Sequence, residues 1–88
     1  MFKLWGKIFK DTKLIKDHVE CCDNYETSRT ERVLSCLDKI CEEFDLLRPI
    51  WLNSNIRDFQ RYAKTRFTND SFIEEQDFDF LEIQVLEE

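Results

Sequence analysis

The chain has 88 residues, 42% of them hydrophobic and 14% aromatic, with a formal net charge of -6 and a pI near 4.8. That length holds one domain and leaves little interior for a deep catalytic cleft, while eight Phe and two Trp supply a core without metal or disulfides and exclude disorder as the ground state. A single Gly and a single Pro exclude a many-turned sandwich or barrel.

Charge is unevenly placed along the chain. Residues 1–16 carry Lys3, Lys7, Lys10, Lys13 and Lys16 against Asp11 alone, whereas nothing basic follows Arg66. A basic hairpin laid beside an acidic strand is therefore expected. The opening MFKLWGKIFK interleaves lysine with apolar residues, unlike a secretory leader, and no run reaches membrane-spanning length. A cytoplasmic location is the expectation, and in a reducing compartment Cys21, Cys22, Cys36 and Cys41 are expected as thiols.

Residues 2–10 read in two ways. As a strand they set Phe2, Leu4 and Ile8 on one face and Lys3, Trp5, Lys7 and Phe9 on the other, with Gly6 marking a bulge or a close approach. As a helix they gather Phe2, Leu4, Trp5, Ile8 and Phe9 opposite Lys3, Lys7 and Lys10, the pattern of a membrane-surface anchor. The strand is preferred, because Lys10-Asp11-Thr12-Lys13 has turn chemistry and Leu14 to Cys21 resumes as an extended run, giving a hairpin over 2–21. Ser28 and Glu31 then fit a helix-opening capping box. Val33, Leu37, Ile40, Phe44 and Leu47 recur at helical spacing, with Cys41 and Leu34 widening the stripe and Cys36 at its margin. The main helix is expected over 29–47 and must stop before Pro49. After the apolar Ile50-Trp51-Leu52, any of Asn53, Ser54 and Asn55 can cap a short helix over 54–64 with Ile56, Phe59 and Ala63 inward and Arg57, Arg61 and Lys64 outward. Two extended pieces close the chain, about 71–75 and 78–87. The second alternates Leu81, Ile83 and Val85 with Glu82 and Gln84. The whole predicts one α+β domain over 1–88 in the order ββααββ: a two-layer arrangement of an antiparallel sheet of about four strands with both helices packed on one face.

Few residues carry recognisable chemistry. Phosphate loops and nucleophile elbows need glycines that only Gly6 could supply. His18, the single histidine, shares a strand face with Cys22 but lies ~13 Å from it at ~3.3 Å per residue, too far for a catalytic pair. Cys21 and Cys22 point to opposite faces and Cys36 and Cys41 lie five apart on a helix, so no tetrahedral metal clamp forms and no cofactor is implied. Carboxylates in the tail (Glu74, Glu75, Asp77, Asp79, Glu82) are explained equally by a charged strand edge. Arg57, Arg61 and Lys64, with Tyr62 as a stacking group, are the best nucleic-acid pattern available, and the acidic balance opposes it.

The segments FKLWGKIFKDTKLIKD, PIWL, KTRF and FIEEQDFDFLEIQVLEE together resemble a group of small uncharacterised bacterial proteins of about this length. The resemblance covers most of the chain and implies a bacterial, cytosolic, stand-alone protein. It implies no site residue.

The functional expectation is a non-catalytic accessory or protein-interaction protein. Its partner is another protein or a second copy, met through Trp51, Tyr62 and the Arg57, Arg61, Lys64 face or through a free sheet edge. The alternatives are nucleic-acid binding by that basic face and membrane-surface attachment through residues 2–10.

Overall fold

Strict alternation at the start of the chain builds its most enclosed strand. A computed structural model describes residues Met1 to Glu88, with strand β1 at Phe2–Lys10 and β2 at Lys13–Cys22. Phe2, Leu4 and Ile8 are fully buried, while Lys3, Trp5 and Phe9 point to the opposite face and are half-buried. Asp11 and Thr12 join the strands with positive φ values of 53° and 66°, the left-handed pair whose twist matches that of a two-residue hairpin. An interfacial anchor would have to insert Phe2, Leu4 and Ile8 into lipid, and all three are in the core.

The first helix, α1, spans Arg29–Glu43. The Ser28 hydroxyl accepts the Glu31 N–H at 3.1 Å, but the Glu31 carboxylate makes no return bond to the Ser28 amide, so only the serine half of the expected capping box forms. The helix ends sooner than Pro49 alone would dictate. Asp45 takes a left-handed φ of 57°, its N–H bonds the Glu42 carbonyl at 3.2 Å, and the Leu46 N–H reaches back to the Cys41 carbonyl at 2.8 Å. This double bond pattern is a Schellman stop, in which the residue after the left-handed one packs back on the helix. Leu46 takes that place against the core. Leu47, expected on the buried stripe, is consequently outside the helix and 57% exposed. Cys36, expected at the stripe's margin, is buried in the core with Val33, Leu37, Ile40 and Cys41.

The second helix, α2, covers Asn53–Tyr62. Ala63 is left-handed, with φ 56°, and turns the chain directly into β3 at Lys64–Phe67. The third strand is therefore not the segment read at 71–75. There, Asn69–Ser71 form a 3₁₀ turn and Phe72 drops into the core, edge-on to Phe78 at 5.7 Å. The Asn69 side chain holds this loop by accepting the Gln76 N–H at 2.8 Å. β4 runs from Phe80 to Glu87, so Phe78 belongs to the loop and the core, and Phe80 to the opposite face of the sheet, stacked on Phe9 at 5.0 Å.

The sheet is antiparallel in the order β2-β1-β4-β3. The basic N-terminal strand lies beside the acidic C-terminal one, and Lys3 reaches Glu87 at 3.4 Å. Leu81 and Ile83 of β4 and Phe67 of β3 join Phe2, Leu4 and Ile8 in a single core with α1 and with Phe59 of α2. Gly6 permits the close packing of that core. A Cβ built on it would lie 2.5 Å from Ile40 Cγ2.

Candidate interaction site

One buried amide sets the orientation of α2. Asn55, expected to cap the helix from in front, lies within its first turn. Its Oδ1 accepts the Leu52 N–H at 3.0 Å, and its Nδ2 donates to Thr65 Oγ1 and to the Arg66 carbonyl, both at 2.9 Å. Helix start and strand β3 are thus pinned by the same side chain, which decides the face of α2 turned outward. On that face Arg57 and Arg61, four residues apart, are exposed, while Tyr62, about 100° further round, is exposed at the end of the helix, and neither arginine forms an ion pair with a carboxylate of the chain. Lys64, expected to extend this stripe, does not. The left-handed turn at Ala63 places it on β3 opposite Gln84, on the sheet face turned away from the core.

Between α1 and α2 runs a cleft of about 430 Å³ walled by Val33, Leu34, Trp51, Ile56 and Phe59. Trp51 stands edge-on to Phe59 at 5.5 Å and to Phe67 at 5.0 Å, and its buried indole N–H has no acceptor in the chain. Arg29 forms part of the rim, with its guanidinium 5.4 Å from the centre of the Phe59 ring and bonded to the Glu88 carboxylate. Ile56, expected inward beside Phe59, is 44% exposed at this cleft. Once Asn55 occupies the inward position, a residue 100° further round the helix must turn toward solvent.

The sheet face away from the core is closed by its own charges. Glu82 stands directly between Lys7 on β1 and Arg66 on β3. Lys7 Nζ lies 2.6 Å from one carboxylate oxygen and Arg66 Nε 3.0 Å from the other. Lys7 also donates to Gln84 Oε1 at 3.0 Å and sits 4.0 Å over the Trp5 ring, while Trp5 Nε1 donates to Asp17 at 2.8 Å. Burial alone would raise the Glu82 pKa, but the hydrogen bonds from Lys7 and Arg66 outweigh it and hold the carboxyl below the usual range. Lys7 and Glu82 are buried and paired within the chain, so the cluster stabilises the sheet, while the Arg66 side chain bonds through Nε alone and stays exposed.

Of the remaining reactive groups, His18 is engaged and two of the four cysteines are buried. His18 Nε2 and Glu20 Oε2 are 2.8 Å apart. All four cysteines are free thiols. Burial pushes Cys36 and Cys41 up to about 11, with the nearby Cys22 adding to the effect at Cys36, and a thiol held in that range is a poor nucleophile at neutral pH. No three His, Cys, Asp or Glu side chains converge as a metal site. Comparison with protein-family models, curated proteins and solved structures finds no match to this chain.

Of the residues singled out in the sequence, the structure places Trp51 in the cleft wall, Arg57 and Arg61 exposed on the outward face of α2, Tyr62 exposed at its C-terminal end, and Lys64 on β3. Asn55, Ile56, Val33 and Leu34 were not singled out as site residues. The signal for Asn55 was weak, since three consecutive cap-forming residues, Asn53-Ser54-Asn55, are equivalent until β3 is in place.

Proposed function

We propose that this is a small non-catalytic interaction protein of the bacterial cytosol, and that it receives a protein partner at the cleft between α1 and α2. The two helices form one layer over the core face of the sheet, and their junction is the receptor. The observation that carries this reading is a cleft walled by Trp51, Ile56 and Phe59 with two exposed arginines, Arg57 and Arg61, each directly following a cleft-lining residue of α2 (Ile56 and Gln60) and paired with no carboxylate of the chain. Buried aromatic anchors ringed by arginine are the composition of protein interfaces. The complementary partner presents an apolar side chain to Trp51, Ile56 and Phe59, with carboxylates beside it for Arg57 and Arg61.

Nucleic-acid binding has less support. The basic stripe shrinks to two arginines once Lys64 is removed from it, and a net charge of -6 repels a polyanion.

The test is affinity recovery from the native cell with the wild-type chain, Ile56→Asp, the pair Arg57→Glu/Arg61→Glu, and Ile73→Asp as an exposed apolar control on another loop. One protein should be held by the wild type and by Ile73→Asp and lost with both cleft variants. Recovery that is indifferent to the cleft substitutions overturns the proposal, and so does material released by nuclease.

A further inference from the structure

The two edges of the sheet differ in how they are finished. β3 is four residues long, and the Asn55 side chain already bonds the Arg66 carbonyl on it. β2 is ten residues long, pairs only with β1, and has no buried residue at all. It exposes Leu14, Ile15 and Val19 by 46%, 53% and 41%. An uncovered edge of this length is a template for another strand.

From the order of charges along β2 we infer that its partner is a second copy of the same chain, added antiparallel about a twofold axis at His18, so that two four-stranded sheets become one of eight. In an antiparallel pair, directly opposite residues share a face. Lys16, His18 and Glu20 lie on the core side of β2, and Asp17, Val19 and Cys21 on the other. With His18 opposite His18, Lys16 of each copy stands opposite Glu20 of the other, twice by symmetry. Lys16 lies 5.3 Å over the Phe44 ring and has no ion pair within its own chain, and Glu20 uses only one carboxylate oxygen on His18. On the opposite face Val19 of each copy meets Asp17 of the other, and the paired stretch ends at Ile15, the extra residue of a bulge against β1.

Neighbouring registers that keep both helical layers on the same side do worse. Sliding by one pair in one direction sets Asp17 against Asp17. In the other direction it takes Lys16 from Glu20 and sets it against Cys22. Mixed charges on an edge usually discourage pairing with arbitrary strands. Here their order is also self-complementary, so the same residues that reject other strands select a second copy.

The test is sedimentation equilibrium from micromolar to millimolar chain concentration on four proteins: wild type, Lys16→Glu, Glu20→Lys, and the double reversal Lys16→Glu/Glu20→Lys. Circular dichroism melts establish that each is folded. The wild type should shift from one chain mass, 10.8 kDa, to twice that value. Each single reversal, which sets like charges opposite each other twice, should weaken the dimer by about tenfold or more, and the double reversal should restore it. A chain that stays monomeric at millimolar concentration overturns the inference. It is overturned equally by a dimer that ignores the single reversals, or by one that the double reversal fails to restore. Neither position lines the α1–α2 cleft, so loss of this dimer leaves the partner proposal standing, and the reverse also holds.

Discussion

Replacing Gly6 by alanine tests the packing of helix on sheet at its closest point. The new Cβ would lie 2.5 Å from Ile40 Cγ2, 3.3 Å from Cδ1 and 3.5 Å from Cβ. Carbon atoms rest at roughly 3.5 to 4.0 Å, so about 1 Å of overlap must be relieved. Ile40 cannot swing aside, because a β-branched residue in a helix has essentially one χ1 rotamer and this side chain is fully buried. The helix must lift instead. Overpacking of this kind costs about 1 to 3 kcal/mol, and the stiffer unfolded chain of the alanine variant returns roughly 0.5 to 1 kcal/mol. A net loss of about 1 to 2 kcal/mol corresponds to a drop in Tm of roughly 5 to 15 °C for a domain of this size. Urea and thermal melts of the wild type, Gly6→Ala, Ile40→Ala and the double variant supply the numbers. Ile40→Ala removes the obstructing methyl, so the double variant should be more stable than the sum of single losses predicts, by about 1 kcal/mol or more. A Gly6→Ala protein melting at or above the wild type, or strictly additive losses, would refute the reasoning.

Three further outcomes are expected. Asn55→Ala should cost about 2 to 4 kcal/mol, because it strips the cap from α2 and leaves buried Thr65 and the Arg66 carbonyl without their donor. Ser54→Ala, on an exposed neighbour, should shift the urea midpoint little by comparison. Glu82 has a folded pKa depressed below the ordinary 4.5. Its stabilising contribution is complete above that value and is lost as pH falls through the depressed one. Glu82→Gln should flatten the acid limb of a stability-versus-pH curve, and parallel limbs for the two proteins would contradict the geometry. Alkylation of the native protein at neutral pH, followed by peptide mass analysis, should modify exposed Cys21 first and half-buried Cys22 more slowly, with Cys36 and Cys41 protected until the chain unfolds. Early labelling of Cys41 would be inconsistent with its burial and raised pKa.

Short-range chemistry alone determines several features of this chain. The alternation of Phe2, Leu4 and Ile8, the turn at Asp11-Thr12, the capping serine at Ser28 and the stripe Val33, Leu37, Ile40 and Phe44 depend on neighbours within a few residues, and each is in its expected place. The class follows from them: an α+β domain with an antiparallel four-stranded sheet. The misread segments share a different cause. Lys64–Phe67 alternates for only four residues, too few to compete with the helical pattern running into it, and becomes a strand because β4 offers it a partner. Phe72-Ile73-Glu74 has strand composition, yet it pairs with no strand: it leaves the 3₁₀ turn at Asn69–Ser71 and Phe72 is buried in the core. The end of α1 was fixed by the Asp45 turn and the docking of Leu46, neither of which Pro49 announces.

The same division applies to the candidate site. Trp51, Arg57, Arg61 and Tyr62 are conspicuous by residue type, and sequence alone marks them as material for an interface. Only the folded chain decides that Lys64 leaves their company and that Asn55 turns inward, rotating Ile56 outward to complete the cleft with α1. Only the sheet order makes β2 an edge and gives Lys16 and Glu20 a complementary arrangement across it. The physical reason is that residue type and local spacing determine what each segment can form, whereas the partners available in space determine which side chains remain free to meet another molecule.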